Sequence, residues 1–171
     1  MRLIAGLILL VLLAILGRLQ PGLFEREGKG PTLTPGTEIS GIARVIDGDS
    51  LVIDGREIRL KNIDAPEGRQ ICQRDGRDWS CGEAAARELR ALVGNRTVRC
   101  RSVEIDKHDR ALALCVAGTT DVNRAMVERG FAVSFGGYRS EERAAQHERR
   151  GLWSGQFQMP QEWRHERGIG K

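Results

Sequence analysis

The sequence has few aromatic residues and lacks the cysteine and histidine spacings that bind zinc. Phe, Trp and Tyr make up 5% of 171 residues, so the core must be mostly aliphatic. There is no C-x₂-C pair, and the three histidines are scattered, which argues against a structural zinc site. No internal repeat is visible. The length therefore fits one domain behind an N-terminal leader.

Charge of either sign is not in large excess. Lys and Arg number 27 against 23 Asp and Glu, which gives a net charge of +4 and a sequence pI near 9.2. This balance fits a polyanionic partner such as nucleic acid but does not require one. Composition alone therefore does not assign a function.

The chain begins with one long hydrophobic run. Residues 3–16 are all apolar or glycine, and Arg2 and Arg18 stand near its two ends. About 15 apolar residues are long for a signal peptide and short for a spanning helix. The run has no polar face, which disfavours a buried core helix. We predict that 1–18 is an export signal or membrane anchor and that 19–38 is a linker. The protein is then periplasmic or secreted, and retention at the inner membrane through 3–17 stays open.

The remaining chain predicts a mostly β domain over 39–155, followed by a C-terminal tail over 156–171. The Arg-rich part of this tail, after Trp163, is expected to be a solvated end rather than a binding arm. Asp-Gly pairs at 47–48 and 54–55 are strong signals for tight hairpins. Helices are predicted from the S-x-x-E capping box at Ser80 to Gly94, from Asp121 to Gly130, and from Ser140 to Gly151. Five strands are predicted, at 42–46, 51–53, 58–63, 97–105 and 111–117. That order is compatible with a small closed barrel.

Four cysteines favour disulfides in an exported protein, and four can pair in three ways. If 97–105 and 111–117 form a hairpin centred between positions 107 and 108, Cys100 faces Cys115. Opposed residues lie about 4.5–5.5 Å apart, within disulfide reach. We predict Cys100–Cys115, which leaves Cys72 to pair with Cys81. The alternative is four free, buried thiols.

Acidic and arginine residues concentrate in three short segments. Asp47 and Asp49 flank a glycine at a predicted turn, and Asp64 and Glu67 stand where a predicted strand ends. Such dense carboxylates repel one another unless a cation lies among them. Oxygen ligands without His or Cys suit Ca²⁺ or Mg²⁺. With Arg59, they make up the groups that phosphoryl chemistry needs, although each segment alone is more often a plain turn, strand end or surface ion pair.

The segments V-I-D-G-D-S, R-L-K-N-I-D-A-P-E and D-K-H-D-R-A-L-A resemble, in this order, the signature segments of the staphylococcal nuclease (thermonuclease) family, in its exported bacterial branch. The resemblance covers about 39–153. It implies an α+β, mostly β fold: an OB-fold five-stranded β-barrel with three helices. It also implies Ca²⁺-dependent endonucleolytic cleavage of DNA, RNA or both, with little sequence specificity and 3′-phosphate products.

The resemblance also implies roles for individual residues. It implies these metal ligands: Asp49, Asp64 and the backbone carbonyl of Ala65, with Asp47 in the outer shell. It implies these catalytic residues: Glu67 as general base or water-orienting group, and Arg59 and Arg110 as phosphate-binding groups. Candidate substrate contacts are Lys107 on the nucleic-acid backbone and Tyr138 or Phe135 stacking on a base.

Two departures from the family pattern bear on these roles. Ala65 stands where the best-known member has Thr, but a carbonyl ligand needs no hydroxyl. His108-Asp109 replaces the usual Tyr-Gly before Arg110. Asp tolerates left-handed backbone, and its carboxylate is expected to compete with substrate for Arg110.

Two functions are therefore carried forward. The first is a monomeric, exported endonuclease that uses Ca²⁺. The alternative is a non-catalytic OB-fold module that binds nucleic acid or a protein at the cell envelope. Retention of the acidic and arginine residues favours the enzyme, because a degenerate module has no need of them.

Overall fold

The computed structural model of this chain describes residues 33–169. The predicted leader at 1–18 lies outside the described residues, as does most of the linker. Within 33–169, no helix is long and apolar enough to cross a membrane.

The described residues form eleven strands, four α-helices and one short 3₁₀ helix at Gly151–Ser154. The strands are β1 Glu38–Ile42, β2 Arg44–Val45, β3 Ser50–Ile53, β4 Arg56–Leu60, β5 Ile63–Asp64, β6 Cys72–Arg74, β7 Arg77–Trp79, β8 Thr97–Ile105, β9 Ala111–Ala117, β10 Thr120–Asp121 and β11 Val133–Ser134. The helices are α1 Cys81–Val93, α2 Val122–Glu128, α3 Arg139–His147 and α4 Pro160–Glu166.

The two end strands of the main sheet, β1 and β2, belong to one continuous segment of the chain. Its strand order is β1-β8-β9-β4-β3-β2, in which β9 and β4 are parallel and the other neighbours antiparallel. Only Ala43 separates β1 from β2, so the segment 38–45 pairs with β8 at one end and with β3 at the other. This curled sheet confirms the predicted OB-type, mostly β architecture.

The core is aliphatic, as the low aromatic content predicts. Side chains along β9 alternate between buried and half-buried, because successive residues of a strand face opposite sides of the sheet. Inside the sheet the fully buried positions include Leu51, Ile58 and Leu60, against which Leu89 of α1 packs. Trp79, Trp153 and Phe157 instead pack in a smaller cluster around the Cys72–Cys81 disulfide.

One predicted strand is divided in the structure. The segment predicted as 58–63 ends as β4 at Leu60, and Asn62 adopts a left-handed backbone with φ 67°. The chain then resumes as β5, which pairs with β11 outside the main sheet. Asn123, fully buried in α2, donates to the carbonyl of Lys61 at 2.9 Å and so satisfies the backbone at this break. The break sets the direction in which the segment carrying Asp64 leaves the barrel.

Two of the three predicted helix starts differ in detail. Helix α1 has the predicted bounds, but the capping box is wrong, since the Ser80 side chain makes no capping hydrogen bond. The disulfide at Cys81 ties this helix start to β6 instead. Asp121 does cap α2, accepting from the backbone N–H of Arg124. Helix α3 starts at Arg139 and ends at His147, before the predicted last turn.

The predicted C-terminal tail contains a fourth helix. Proline at the first turn of α4 suits a helix start, and Trp163 anchors the helix with 8% of its surface exposed. Ahead of it, Gln156 exchanges two backbone hydrogen bonds of 2.8 Å with Gln73 of β6. After Trp163, where a solvated end was expected, 165–169 are exposed, but the expectation is wrong for the half-buried Arg164.

The structure contains both predicted disulfides. The Cα atoms are 5.7 Å apart in Cys72–Cys81 and 4.1 Å apart in Cys100–Cys115. Cys100 lies opposite Cys115, as the hairpin prediction requires. A bulge between Ser102 and Glu104 shifts the pairing by one residue in the part of the hairpin nearest the turn, so Ile105 pairs with Ala111. The turn is therefore centred on His108, half a residue from the predicted centre.

Candidate active site

The site forms where the β2–β3 loop packs against the segment that follows the strand break. The N–H of Ala65 donates to Oδ2 of Asp49 at 3.2 Å, which links the two acidic segments. Gly48 permits this approach, because a Cβ there would lie 2.6 Å from the Ala65 Cβ and 2.7 Å from the Ala85 Cβ. Two segments that are separate in sequence therefore share one wall of the site.

Asp49 is a buried carboxyl group with several partners. Only 4% of the residue is exposed, and Ser50 Oγ donates to its Oδ1 at 3.0 Å. Its own N–H donates to Asp47 Oδ1 at 3.0 Å, which closes the loop. Burial raises the pKa of Asp49 to about 7, the charges of Asp47 and Asp64 add to the rise, and Arg59 opposes it.

Arg59 bridges the two buried carboxyl groups. Its Nη2 lies 3.0 Å from Asp49 Oδ2 and 2.9 Å from Asp64 Oδ1. The partners' side chains are only 6% and 4% exposed, so both ion pairs are shielded from water. A guanidinium in this strand needs an anionic partner, and the structure supplies two. The surface ion pair between Arg59 and Glu57, one alternative from the sequence, is not formed; Glu57 pairs with Arg110.

Arg164 is a second guanidinium in the site, and it was not among the site residues predicted from the sequence. Its Nη1 lies 2.9 Å from Asp64 Oδ1 and 2.9 Å from Glu67 Oε1, and its Nη2 lies 2.9 Å from Asp64 Oδ2. Burial alone would lower the pKa of Arg164, but the hydrogen bonds to Asp64 and Glu67 outweigh this and raise it. No spacing rule connects a residue of α4 with carboxylates about a hundred positions earlier, and only Pro160 and Trp163 hint at a packed helix there.

Glu67 lies in a loop whose backbone is held in place. Its N–H donates to Oε1 of Gln70, a fully buried side chain. Gly82 at the start of α1 packs directly on it, because a Cβ at Gly82 would lie 1.8 Å from the Glu67 carbonyl oxygen. The Glu67 carboxylate is itself about a quarter exposed, so it is accessible to solvent.

Arg110 is on the same outer face as Arg59 but is not bonded to the acidic cluster. Ala111 pairs with Ile58 and both are buried, so the flanking Arg110 and Arg59 face outward. Arg110 Nε lies 2.8 Å from Asp106 Oδ2, and Nη1 lies 3.3 Å from Glu57 Oε1.

The competitor for Arg110 is not the residue expected from the sequence. Asp109 has a left-handed backbone with φ 61°, as expected where the family has Gly, but Asp106 and Glu57 take the guanidinium. Burial alone would lower the pKa of Arg110, and these two carboxylates raise it instead. The pKa of Asp106 falls because hydrogen bonds outweigh its burial.

The candidate substrate contacts occupy different environments. Phe135 is 57% exposed and lines a cavity of about 360 Å³ together with Arg59, Lys61 and Arg164. Tyr138 is half-buried and packs against the core, and burial raises its pKa. Lys107 is exposed in the β8–β9 turn. Of the three, only Phe135 adjoins the acidic cluster.

Guanidinium groups stand between the carboxylates of this site. Across 33–169, no three His, Cys, Asp or Glu side chains are grouped closely enough to make a ready metal site. The cluster nevertheless contains four carboxyl groups and two guanidinium groups: Asp47, Asp49, Asp64, Glu67, Arg59 and Arg164. With every group ionised, its formal net charge is −2.

The chain is similar in sequence to several known proteins. Residues 57–155 match the family described as staphylococcal nuclease homologue. The chain is 37% identical over 126 residues to the succinoglycan biosynthesis protein ExoI of Rhizobium meliloti, a match that covers 69% of this chain and 66% of that protein. It is 34% identical over 136 residues to an uncharacterized endonuclease of Escherichia coli O157:H7, covering 72% of this chain and 83% of that protein. A similar uncharacterized endonuclease of Haemophilus influenzae is 26% identical over 140 residues, covering 75% and 74%.

Proposed function

We propose that this chain, which belongs to the family of staphylococcal nuclease homologues, is an exported, Ca²⁺-dependent endonuclease that cleaves DNA, RNA or both and leaves 3′-phosphate ends. One observation carries the proposal: Asp49, Asp64, Glu67 and Arg59 belong to one network of contacts beside the cavity that Arg59 and Asp64 line. Folding thus joins the two acidic segments around one arginine, and phosphodiester hydrolysis uses carboxylates and a guanidinium in this combination.

The donor set fits a hard divalent cation. Arg59 Nη2 lies within 3.0 Å of an oxygen of Asp49 and of Asp64, so two carboxylates already converge on one point of positive charge. Their donors are oxygens without His or Cys, which suits Ca²⁺. Asp49, Asp64 and the Ala65 carbonyl would hold the ion, and Asp47 would support them. Bound there, Ca²⁺ would polarise a phosphate oxygen and offset charge in the transition state.

The remaining residues have complementary roles in this mechanism. Glu67 accepts a proton from, or orients, the water that attacks phosphorus. Arg59 and Arg110 donate hydrogen bonds to the equatorial phosphate oxygens, where negative charge grows. The 5′-oxygen leaves, so the phosphate stays on the 3′ side. Phe135 lines the cavity together with Lys61, and in this proposal its ring stacks on a base of the substrate.

Export is supported by the two disulfides and by the hydrophobic leader. Disulfides persist in oxidising compartments and are uncommon in the cytosol. All four cysteines are paired. The periplasm or the medium is therefore the proposed location, with residues 1–18 as the export signal or anchor.

The test is cleavage of single-stranded DNA by the purified full chain, with Ca²⁺ or with the chelator EGTA. We expect cutting only with Ca²⁺, and 3′-phosphate ends on the products. Glu67→Gln should lower the rate by about 10²–10⁴-fold, because a general base contributes that much. Glu83→Gln, which changes an exposed glutamate of α1, should cut at the wild-type rate.

Two outcomes would contradict the proposal. Tight binding of DNA without cutting under any condition would favour the alternative, a non-catalytic OB-fold module. Cutting that is equal in EGTA and in Ca²⁺ would remove the metal from the mechanism.

A further inference from the structure

We propose that Arg164 is a positioning residue of the active site, which holds the Glu67 carboxylate beside Asp64. The inference rests on the proposed nuclease function. Arg164 lies in α4, beyond residue 155, where the family match ends. It therefore adds a part to the site that the matched domain itself does not supply.

The contact has the geometry of a fixed bridge. One guanidinium reaches both oxygens of Asp64 and one oxygen of Glu67, with all three N–O distances at 2.9 Å. The side chains of Arg164 and Asp64 are 19% and 4% exposed, so water competes weakly for these bonds. A planar, forked guanidinium binding two carboxylates leaves little freedom to any of the three groups.

The Glu67 carboxylate depends on this bridge. Across the described residues, Arg164 is the one side chain that forms an ion pair with the Glu67 carboxylate. Arg59 pairs with Asp49 and Asp64 instead. Without a cation between them, the carboxylates of Asp64 and Glu67 repel each other. Loss of Arg164 should therefore let Glu67 turn into solvent, away from the attacking water.

The segment that carries Arg164 is anchored to the loop that carries Glu67. Gln70 is fully buried; its Oε1 accepts from the Glu67 N–H, and its Nε2 donates to the Gln158 carbonyl at 2.7 Å. Trp163 is buried next to Arg164, and the Arg167 guanidinium stacks on its ring at 4.2 Å. The backbone and the side chain of Glu67 are thus both tied to the C-terminal segment, which makes α4 part of the site.

The experiment compares Arg164→Gln, Arg164→Lys and Arg87→Gln with the wild-type full chain. Arg87 is the matched control, since its side chain is 63% exposed on α1 and pairs with Glu83 rather than with Asp64 or Glu67. We expect Arg164→Gln to lower kcat by roughly 10–100-fold with KM changed less than about threefold, because a small misplacement of a reacting group costs about that much. Arg164→Lys should recover only part of the loss, since an ammonium lacks the planar, two-pronged geometry of a guanidinium. Arg87→Gln should leave kcat unchanged.

A double variant separates positioning from a direct role. If Arg164 acts through Glu67, then Arg164→Gln should lower kcat by less than about twofold in a Glu67→Gln background. A further full loss in that background would show that Arg164 acts independently and would overturn the inference. Equal kcat for Arg164→Gln and wild type would overturn it too. Unfolding curves on each variant show whether the chain is folded. Arg164→Lys keeps the positive charge, so it tests the same contact in a chain less affected by loss of that charge.

A readout without turnover is Ca²⁺ affinity by calorimetry. Arg164 uses both oxygens of Asp64, so its removal should tighten Ca²⁺ binding by roughly three- to tenfold, while Arg87→Gln leaves it unchanged. Unchanged affinity in Arg164→Gln would place its guanidinium away from the carboxylates and refute the bridge. A wild-type chain that binds Ca²⁺ but does not cut would contradict the proposed function. The Ca²⁺ affinity of Arg164→Gln relative to wild type would still test the bridge in that case. A chain that does neither would end both.

Discussion

Two arginines that resemble the phosphate-binding pair of this family are held in very different ways. Arg59 bonds to Asp49 and Asp64, whose side chains are 6% and 4% exposed. Arg110 bonds to Asp106 and Glu57, whose side chains are 15% and 45% exposed. Each guanidinium has two carboxylates, and both lie on the outer face of the same sheet. The difference is how much water reaches the ion pairs.

That difference indicates what each arginine can do. In a shielded pair, loss of one partner leaves a buried charge uncompensated, which costs several kcal/mol. In an exposed pair, water and salt replace the partner, and the pair contributes little. Arg59 therefore contributes to the stability of the site in addition to its proposed role as a phosphate ligand. Arg110 can leave Glu57 for a substrate at small cost.

Of the three changes that test this contrast, Arg59→Gln should have the largest effect. We expect the cleavage rate to fall by about 10²–10³-fold, as removal of one transition-state donor implies. In EGTA the free energy of unfolding should also fall by about 3 kcal/mol, because Asp49 and Asp64 lose their shared counter-charge. Urea unfolding curves, with and without Ca²⁺, check the second part. Unchanged stability in EGTA would mean that the buried ion pairs do not contribute, and the contrast with Arg110 would disappear.

Arg110→Gln should affect the rate alone. The same change of charge should lower cleavage by about 10²-fold if this guanidinium binds the phosphate. The free energy of unfolding should change by about 1 kcal/mol or less, because its ion pairs are more exposed. Parallel kinetics and urea unfolding on the two arginine variants make the comparison. A rate equal to wild type would remove Arg110 from the catalytic residues.

Glu57→Gln should have the smallest effect and the opposite sign. It removes one competitor for Arg110 and one negative charge from the substrate face, so KM for DNA should fall by about two- to threefold at low salt. Stability should change by less than about 0.5 kcal/mol. Glu148→Gln removes the same charge from an exposed pair with Arg150 and serves as the control. A similar fall in KM for both variants would indicate a general charge effect.

Much of the site was predictable because its motifs are local. Asp49 and Asp64 stand at the ends of predicted strands, and the structure brings them together through one hydrogen bond from Ala65. The disulfide Cys100–Cys115 followed from the register of one hairpin. These features depend on neighbours a few residues away, where turn chemistry and strand alternation decide the outcome.

The errors concern contacts between distant segments. A predicted strand across 58–63 overlooked the break at Asn62, which Asn123 supports from α2. Asp109 was expected to compete for Arg110, but the adjacent strand places Glu57 there. The tail after Trp163 was expected to be solvated, yet Arg164 reaches Asp64. Local patterns do not reveal which remote side chain fills a given position.

The sequence by itself determined the class of fold, the hairpins, the disulfide framework and the acidic segments of the candidate site. Each follows from spacing along a short stretch of chain, because backbone geometry relates neighbours in a fixed way. Only the tertiary structure decided that Arg59 lies between two buried carboxylates, that Arg110 pairs with Asp106 and the more exposed Glu57, and that a helix from the C-terminal end supplies Arg164. Those pairings depend on which charges folding shields from water, and burial is a property of the packed chain as a whole.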